Sequence, residues 1–262
     1  MLKKRILSGL IGAALALFLI YKGGIAYFLA VSLFTLLGLE EYRRLSVRGN
    51  YYFPRSISIA AAGIYLVLLY FQMPNIIEMA PLFLFFPFSL YLLLNKDFNF
   101  RDLVFTTWGV IYIVWLFGFL IALRNMPNGL NYTLLLFLSI WINDTAAFFI
   151  GSTLGKRKLI PQISPNKTVE GALGGLLGTV VFVLFFRVLV NMGPFIAVLA
   201  GVFISLLGQA GDLLESALKR FLDTKDSGEL IPGHGGVLDR FDSLLMAAPF
   251  LYFYVKFISE VL

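Results

Sequence analysis

Asp144 in WINDTAAFF, Asp212 and Glu215 in GQAGDLLESALKRF, and Asp239 and Asp242 in LDRFD all lie inside or against strongly apolar stretches. A charge in such surroundings is expensive and needs a partner or a purpose. Asp212, Glu215, Ser216 and Lys219 are spaced i, i+3, i+4 and i+7, which puts them on one face of a helix, and Asp239 and Asp242 at i and i+3 share another. Mg²⁺ is typically held by one or two carboxylates together with substrate phosphates and water, so two short acidic faces with basic neighbours suit a metal and nucleotide site. Local pairing of Asp212 and Glu215 with Lys219 or Arg220 at a helix end accounts for the same spacing.

Between these faces runs KRFLDTKDSGELIPGHGGVLDRFD, residues 219–242, where Pro232-Gly233 and Gly235-Gly236 flank the only histidine, His234. Glycines let a backbone approach phosphates closely and present N–H groups to an anion, although a plain connecting turn has the same composition. One histidine cannot build a zinc site, and the absence of cysteine removes thiolate metals, disulfides and cysteine nucleophiles. An earlier segment, GSTLGK at 151–156, falls one residue short of a phosphate-binding P-loop, has Arg157 where Ser or Thr belongs, and follows no strand. Ser164-Pro165 instead fits a helix N-cap followed by proline at the first helical position, with Lys167 in the first turn beside N–H groups able to meet a phosphate. A juxtamembrane basic loop that only sets topology would have the same charges. Gly171, Gly174, Gly175 and Gly178 give small-xxx-small spacings and are expected to form a helix-packing face without chemistry.

The elements that must position these residues are membrane spans. A chain that is 59% hydrophobic and 14% charged, with 27 Phe and a mean hydropathy of +0.86, needs lipid as the solvent for most of its surface. About 20 apolar residues cross the hydrocarbon. The predicted fold is all-α and polytopic, with about nine spans near 5–21, 24–40, 56–72, 77–95, 103–123, 132–151, 169–190, 194–218 and 242–260. They make one integral membrane domain over 1–262, with N-terminal spans in 1–130 and a catalytic half in 131–262. MLKKR before an apolar stretch has the outline of a secretory signal, but so many later spans favour an uncleaved first crossing. With the N-terminus inside, 17 of the 21 basic residues fall on the cytoplasmic side, and so do the polar segments 151–168 and 219–241. The basic residues come in short clusters between spans, which argues for anionic phosphates as partners and against nucleic acid. Asp212 lies 18 residues after Pro194, about 27 Å along a helix. All five carboxylates are therefore expected at one depth, near the cytoplasmic boundary.

Residues 216–242 resemble the signature of the bacterial phosphatidate cytidylyltransferase family: Ser, two residues, Lys-Arg, four residues, Lys-Asp, then His-Gly-Gly, two residues, Asp-Arg, one residue, Asp. Ser216, Lys219, Arg220, Lys225, Asp226, His234, Gly235, Gly236, Asp239, Arg240 and Asp242 fill every fixed position. Gly211-Asp212 and the block DTAAFFIGSTLGKRKLIPQISPNKTVEG, residues 144–171, are also similar to family segments. The resemblance implies an enzyme of the inner membrane that joins CTP and phosphatidate into CDP-diacylglycerol and pyrophosphate. Lipid phosphate must attack the α-phosphorus of CTP, two anions meeting in line, so charge neutralisation and positioning are the main tasks. Asp212, Asp239 and Asp242 are the expected ligands of Mg²⁺, and a second cation is compatible with the chemistry. Lys219, Arg220 and Arg240 are expected at the reacting phosphates with His234 as an orienting donor. Asp144, Ser164, Lys167, Ser216, Lys225, Asp226, Gly235 and Gly236 are expected to bind substrate. A homodimer in the bilayer is compatible with the resemblance. A CTP-dependent lipid kinase of the dolichol kinase type would use similar residues, and intramembrane carboxylates also occur along transporter ion paths. The DGxxAR start of the CDP-alcohol phosphotransferases is absent.

Overall fold

The computed structural model describes residues 2–224, 228 and 235–261. Its helices are α1 (Leu2–Lys22), α2 (Gly24–Arg48), α3 (Arg55–Tyr70), α4 (Ile76–Leu94), α5 (Phe100–Val110), α6 (Leu116–Asn125), α7 (Gly129–Leu154), α8 (Val169–Phe186), α9 (Pro194–Phe221) and α10 (Leu238–Val261). A π-helical turn, Ile111–Trp115, joins α5 to α6 into one continuous rod. Among the described residues, six helical stretches are long and apolar enough to cross a membrane: Gly24–Arg48, Ile76–Leu94, Phe100–Asn125, Gly129–Leu154, Val169–Val190 and Pro194–Phe221. Large apolar side chains such as Leu93 and Phe185 are 81% and 80% exposed, as expected of surfaces that face lipid. The all-α polytopic expectation therefore fits.

The chain divides into two compact units, Met1–Ala122 with Phe221–Arg240, and Leu123–Arg220 with Phe241–Leu262. In the first unit Gly23, at φ 60°, breaks the helix between α1 and α2 in a backbone conformation that a side chain would strain. Asn99 and Asp102 form a reciprocal capping box that starts α5. The core gathers around Tyr42, whose hydroxyl donates to Phe105 O at 2.9 Å and whose ring leaves no space for a Cβ at Gly109. In the second unit α7 and α8 pack as closely as the glycine spacing predicts. A Cβ at Gly174 would run into Ile150, at Gly175 into Asn143, and at Gly178 into Ala146.

Two local expectations change. The second helix continues past residue 40 to Arg48, because Glu40 pairs with Arg43 and Arg44 across one turn and the helix ladder needs no lipid to persist. Ser164-Pro165 does not open a helix. Residues Lys158–Ile160 (β1) and Ser164–Thr168 (β2) form an antiparallel ribbon, paired Lys158 to Thr168 and Ile160 to Ser164, and Thr168 is the N-cap of α8. Its hydroxyl accepts Gly171 N–H at 3.1 Å. Between the two ribbon pairs Pro165, Asn166 and Lys167 stand opposite Leu159 alone, a bulge that tolerates a proline without an N–H.

Candidate functional site

The site in the second unit is built on a polar stripe of α9. Ser205, Gln209, Asp212 and Ser216 recur at spacings of four, three and four residues, so they share a face of an otherwise apolar helix. Asn143 on α7 meets this stripe: its Oδ1 accepts from Ser205 Oγ at 2.7 Å and from Gln209 Nε2 at 3.2 Å. Gln209 Nε2 also donates to Ala172 O at 3.1 Å. With its oxygen so engaged, Asn143 turns its Nδ2 to donate to Asp144 Oδ1 at 3.2 Å. The amide thereby fixes the neighbouring carboxylate, an arrangement that buried polar groups require if none is to be left unpaired.

Lys167 comes from the ribbon bulge and forms an ion pair with Asp212, Nζ to Oδ2 at 2.5 Å. Both side chains are only partly covered, 29% exposed for Lys167 and 38% for Asp212. Together with Asp144, Asn143, Gln209 and Thr168 they line a cavity of about 520 Å³. Asp242, on α10, is 9% exposed, with Ser243 N–H donating to its Oδ1 at 2.6 Å. Its helix crosses α9 so closely that a Cβ on Gly211 would meet the Asp242 carbonyl. Asp242 feels the charges of Asp212, Asp144 and Lys167, and Asp144 feels those of Asp212 and Lys167. Three carboxylates and one ammonium thus share a single field, an excess of negative charge that a cation would relieve. Among the described residues no three His, Cys, Asp or Glu side chains gather tightly enough to enclose a metal by themselves.

The other expected residues fall as follows. Ser216 makes a long 3.5 Å contact with Asp212 Oδ1. Glu215, 2% exposed, pairs with Lys219 at 2.6 Å, so local pairing along α9 describes Glu215 but not Asp212. Arg220 Nε donates to Ile163 O at 3.4 Å, which ties the end of α9 to the ribbon turn. Ser164 stands in β2 opposite Ile160. In the first unit Gly235 adopts φ +79°, and Gly236 N–H donates to Asp239 Oδ2 at 2.9 Å, so that donor of the expected anion nest is taken up by the aspartate of the same turn. Arg240 N–H closes the turn onto Val237 O at 3.0 Å. Lys225, Asp226 and His234 lie outside the described residues.

Sequence reasoning missed Asn143, Ser205, Gln209 and Thr168. The first three had a legible signal, since amides and a hydroxyl at helical spacing beside Asp144 and Asp212 are costly in an apolar span. Glu170 was missed too. Its carboxylate accepts Lys156 N–H at 3.0 Å and Arg157 N–H at 3.1 Å and pins the start of the ribbon to α8.

Residues 3–258 match the model of the cytidylyltransferase family. The chain belongs to that family. It is 39% identical to a phosphatidate cytidylyltransferase of Bacillus subtilis (strain 168) over 272 aligned positions, covering 98% of this chain and 99% of the relative. It is 35% identical to phosphatidate cytidylyltransferases of Staphylococcus aureus (strain COL) and Staphylococcus epidermidis (strain RP62A), in each case over 95% of this chain and 97% of the relative. A match of this extent takes in the N-terminal helices as well as the cavity, so α1–α6 belong to the family architecture along with the polar segments.

Proposed function

We propose that this chain transfers CMP from CTP to phosphatidate, giving CDP-diacylglycerol and pyrophosphate for phospholipid synthesis. The observation that carries the reading is the Lys167–Asp212 ion pair beside Asp144 in one cavity, in a chain that aligns from end to end with phosphatidate cytidylyltransferases. An ammonium and a carboxylate held against each other in a partly covered site are poised to exchange partners. Lys167 takes up a phosphate oxygen of the substrate, which leaves Asp212 as a carboxylate that would hold a cation.

In the reaction a phosphate oxygen of phosphatidate attacks the α-phosphorus of CTP. The new P–O bond forms as the bond to the β,γ-diphosphate breaks, and pyrophosphate leaves with the electron pair. Phosphatidate is anionic at neutral pH, so its attacking oxygen needs no strong base. Lys167, Lys219, Arg220 and Arg240 hold and neutralise phosphate oxygens, while Asn143 keeps Asp144 oriented. Ser164, Ser216, Lys225, Asp226, Gly235 and Gly236 contribute to substrate binding, and His234 donates to a phosphate oxygen.

The donor set suits Mg²⁺. Asp212, Asp144 and Asp242 offer hard oxygens in one field, and an ion that keeps waters and takes substrate phosphates needs only one or two of them. Asp212 and Asp242 would be its ligands, Asp239 is a further candidate, and Asp144 serves substrate binding. The bound ion would offset the negative charge of the triphosphate.

The partition of basic residues supports a cytoplasmic N-terminus and a site on the cytoplasmic face of the bacterial inner membrane. Nine crossings, with α1, α3 and α10 added to the six stretches that are long and apolar enough to span, would put the C-terminus outside. CTP labelled at either end distinguishes this activity from lipid phosphorylation. α-³²P-CTP should label the lipid, and γ-³²P-CTP should appear only in pyrophosphate. γ-Label in the lipid would replace cytidylyl transfer with a kinase reaction.

A further inference from the structure

Glu41 is completely buried in the first unit, and the chemistry above makes no use of it. It sits on α2 between the buried residues Leu39 and Leu45, next to Glu40, whose carboxylate turns instead to Arg43, Arg44 and Arg55. The two oxygens of Glu41 accept Val237 N–H at 2.8 Å and Leu238 N–H at 3.0 Å, bonds that link positions 196 and 197 residues apart. Leu238 is the first residue of α10. The first N–H groups of a helix have no partner within it and normally take a side-chain oxygen from the N-cap residue. Val237, which precedes α10, has no such oxygen, so a carboxyl group from α2 does the work. A carboxylate is also the side chain that the positive end of a helix favours.

The same group touches the segment that leads to α10. A Cβ on Gly228 would stand 3.1 Å from Glu41 Oε1 and 3.2 Å from its Cδ, so a side chain there would press on the carboxyl by a few tenths of an ångström. On the other side of the turn Asp239 Oδ2 accepts Gly236 N–H. The Gly235–Arg240 turn is therefore fastened from outside by Glu41 and from within by Asp239.

We infer that Glu41 is a positioning residue for cytidylyl transfer: by capping α10 from α2 it fixes the direction of Asp239 and Arg240 in the first turn of that helix. The inference rests on the proposed function, because it assumes that Asp239 and Arg240 serve that reaction.

The test compares wild type, Glu41→Gln and Glu41→Ala as full-length protein in detergent micelles. It measures hydrogen exchange of the peptide spanning Val237 and Leu238, and turnover of α-³²P-CTP with phosphatidate per folded molecule. Glutamine keeps the shape and one acceptor oxygen, whereas alanine removes both. Protection should fall in the order wild type, Glu41→Gln, Glu41→Ala. kcat should fall in the same order, by about 10- to 100-fold for alanine, the range seen when groups that orient active-site ligands are lost, with KM for phosphatidate changing much less. Should Glu41→Ala fail to fold, the glutamine variant carries the comparison with wild type. Lost protection with wild-type kcat per folded molecule would reduce Glu41 to a structural cap and overturn the inference, as would unchanged protection in both variants. A wild-type protein that makes no CDP-diacylglycerol would overturn the proposed function instead, whatever the exchange shows.

Discussion

Replacing Lys167 by methionine should separate catalysis from stability. The substitution keeps most of the aliphatic stem and removes the ammonium that faces Asp212 at 2.5 Å. Because Asp212 is 38% exposed and Lys167 29%, water screens the pair, and its loss should cost no more than about 1 kcal/mol of stability. For a chain of this length that is a shift in Tm of about 2–4 °C. The catalytic loss should be far larger, since a donor aimed at developing phosphate charge is worth about 2.7–4 kcal/mol, or roughly 10²- to 10³-fold in rate. The assay is incorporation of α-³²P-CTP into phosphatidate micelles, with kcat/KM determined for each substrate, beside thermal unfolding in the same detergent. Lys167→Arg should recover only part of the rate, because a planar guanidinium cannot take the place of a compact ammonium in the ribbon bulge. If kcat/KM for both substrates stays within about threefold of wild type while Tm moves as expected, the partner-exchange reasoning is wrong and Lys167 is a topological charge only.

Asp212→Asn keeps the side-chain shape and removes a charge, so it should abolish turnover with little change in Tm, and EDTA should silence the wild-type enzyme until Mg²⁺ is returned; activity that survives both would remove the cation from the mechanism. A cysteine at Ser164, in the ribbon, should react with an impermeant maleimide only from the cytoplasmic side. One at Gly193, where a new Cβ meets nothing within 4 Å, should react only from outside, and the opposite pattern would invert the topology. Gly175→Val should destabilise the protein by about 1–3 kcal/mol, because its Cβ would fall within 3.0 Å of both Asn143 oxygens, and an unchanged Tm would show that α7 and α8 are not packed so closely.

Hydropathy alone located the six stretches that are long and apolar enough to cross a membrane, because twenty apolar residues in water have few alternatives to a membrane span. Asp144 and Asp212 were legible for the complementary reason, that a carboxylate in an apolar span is too costly to be incidental. Their company was less legible. Glu215 and Asp212 stand on one helix face at equivalent spacing, yet Glu215 pairs locally with Lys219 while Asp212 pairs with Lys167, 45 residues away in sequence. Periodicity states which side chains share a face but not what packs opposite that face.

The segment 151–168 shows the limit most clearly. Ser164-Pro165 has the composition of a helix start, and nothing local forbids it. The choice fell to Thr168, whose hydroxyl caps Gly171, and to Glu170, which binds the Lys156 and Arg157 N–H groups and so folds the preceding residues into a ribbon. Fold class, the embedding in a membrane and the residue types of the site follow from the order of amino acids, since burial of apolar surface and the cost of bare charge act along the chain. Which ammonium meets which carboxylate, how Asn143 orients Asp144, and that Glu41 caps a helix nearly two hundred residues away were decided by tertiary structure. Hydrogen bonds and ion pairs act over about 3 Å, and only the folded backbone brings such distant residues within that range.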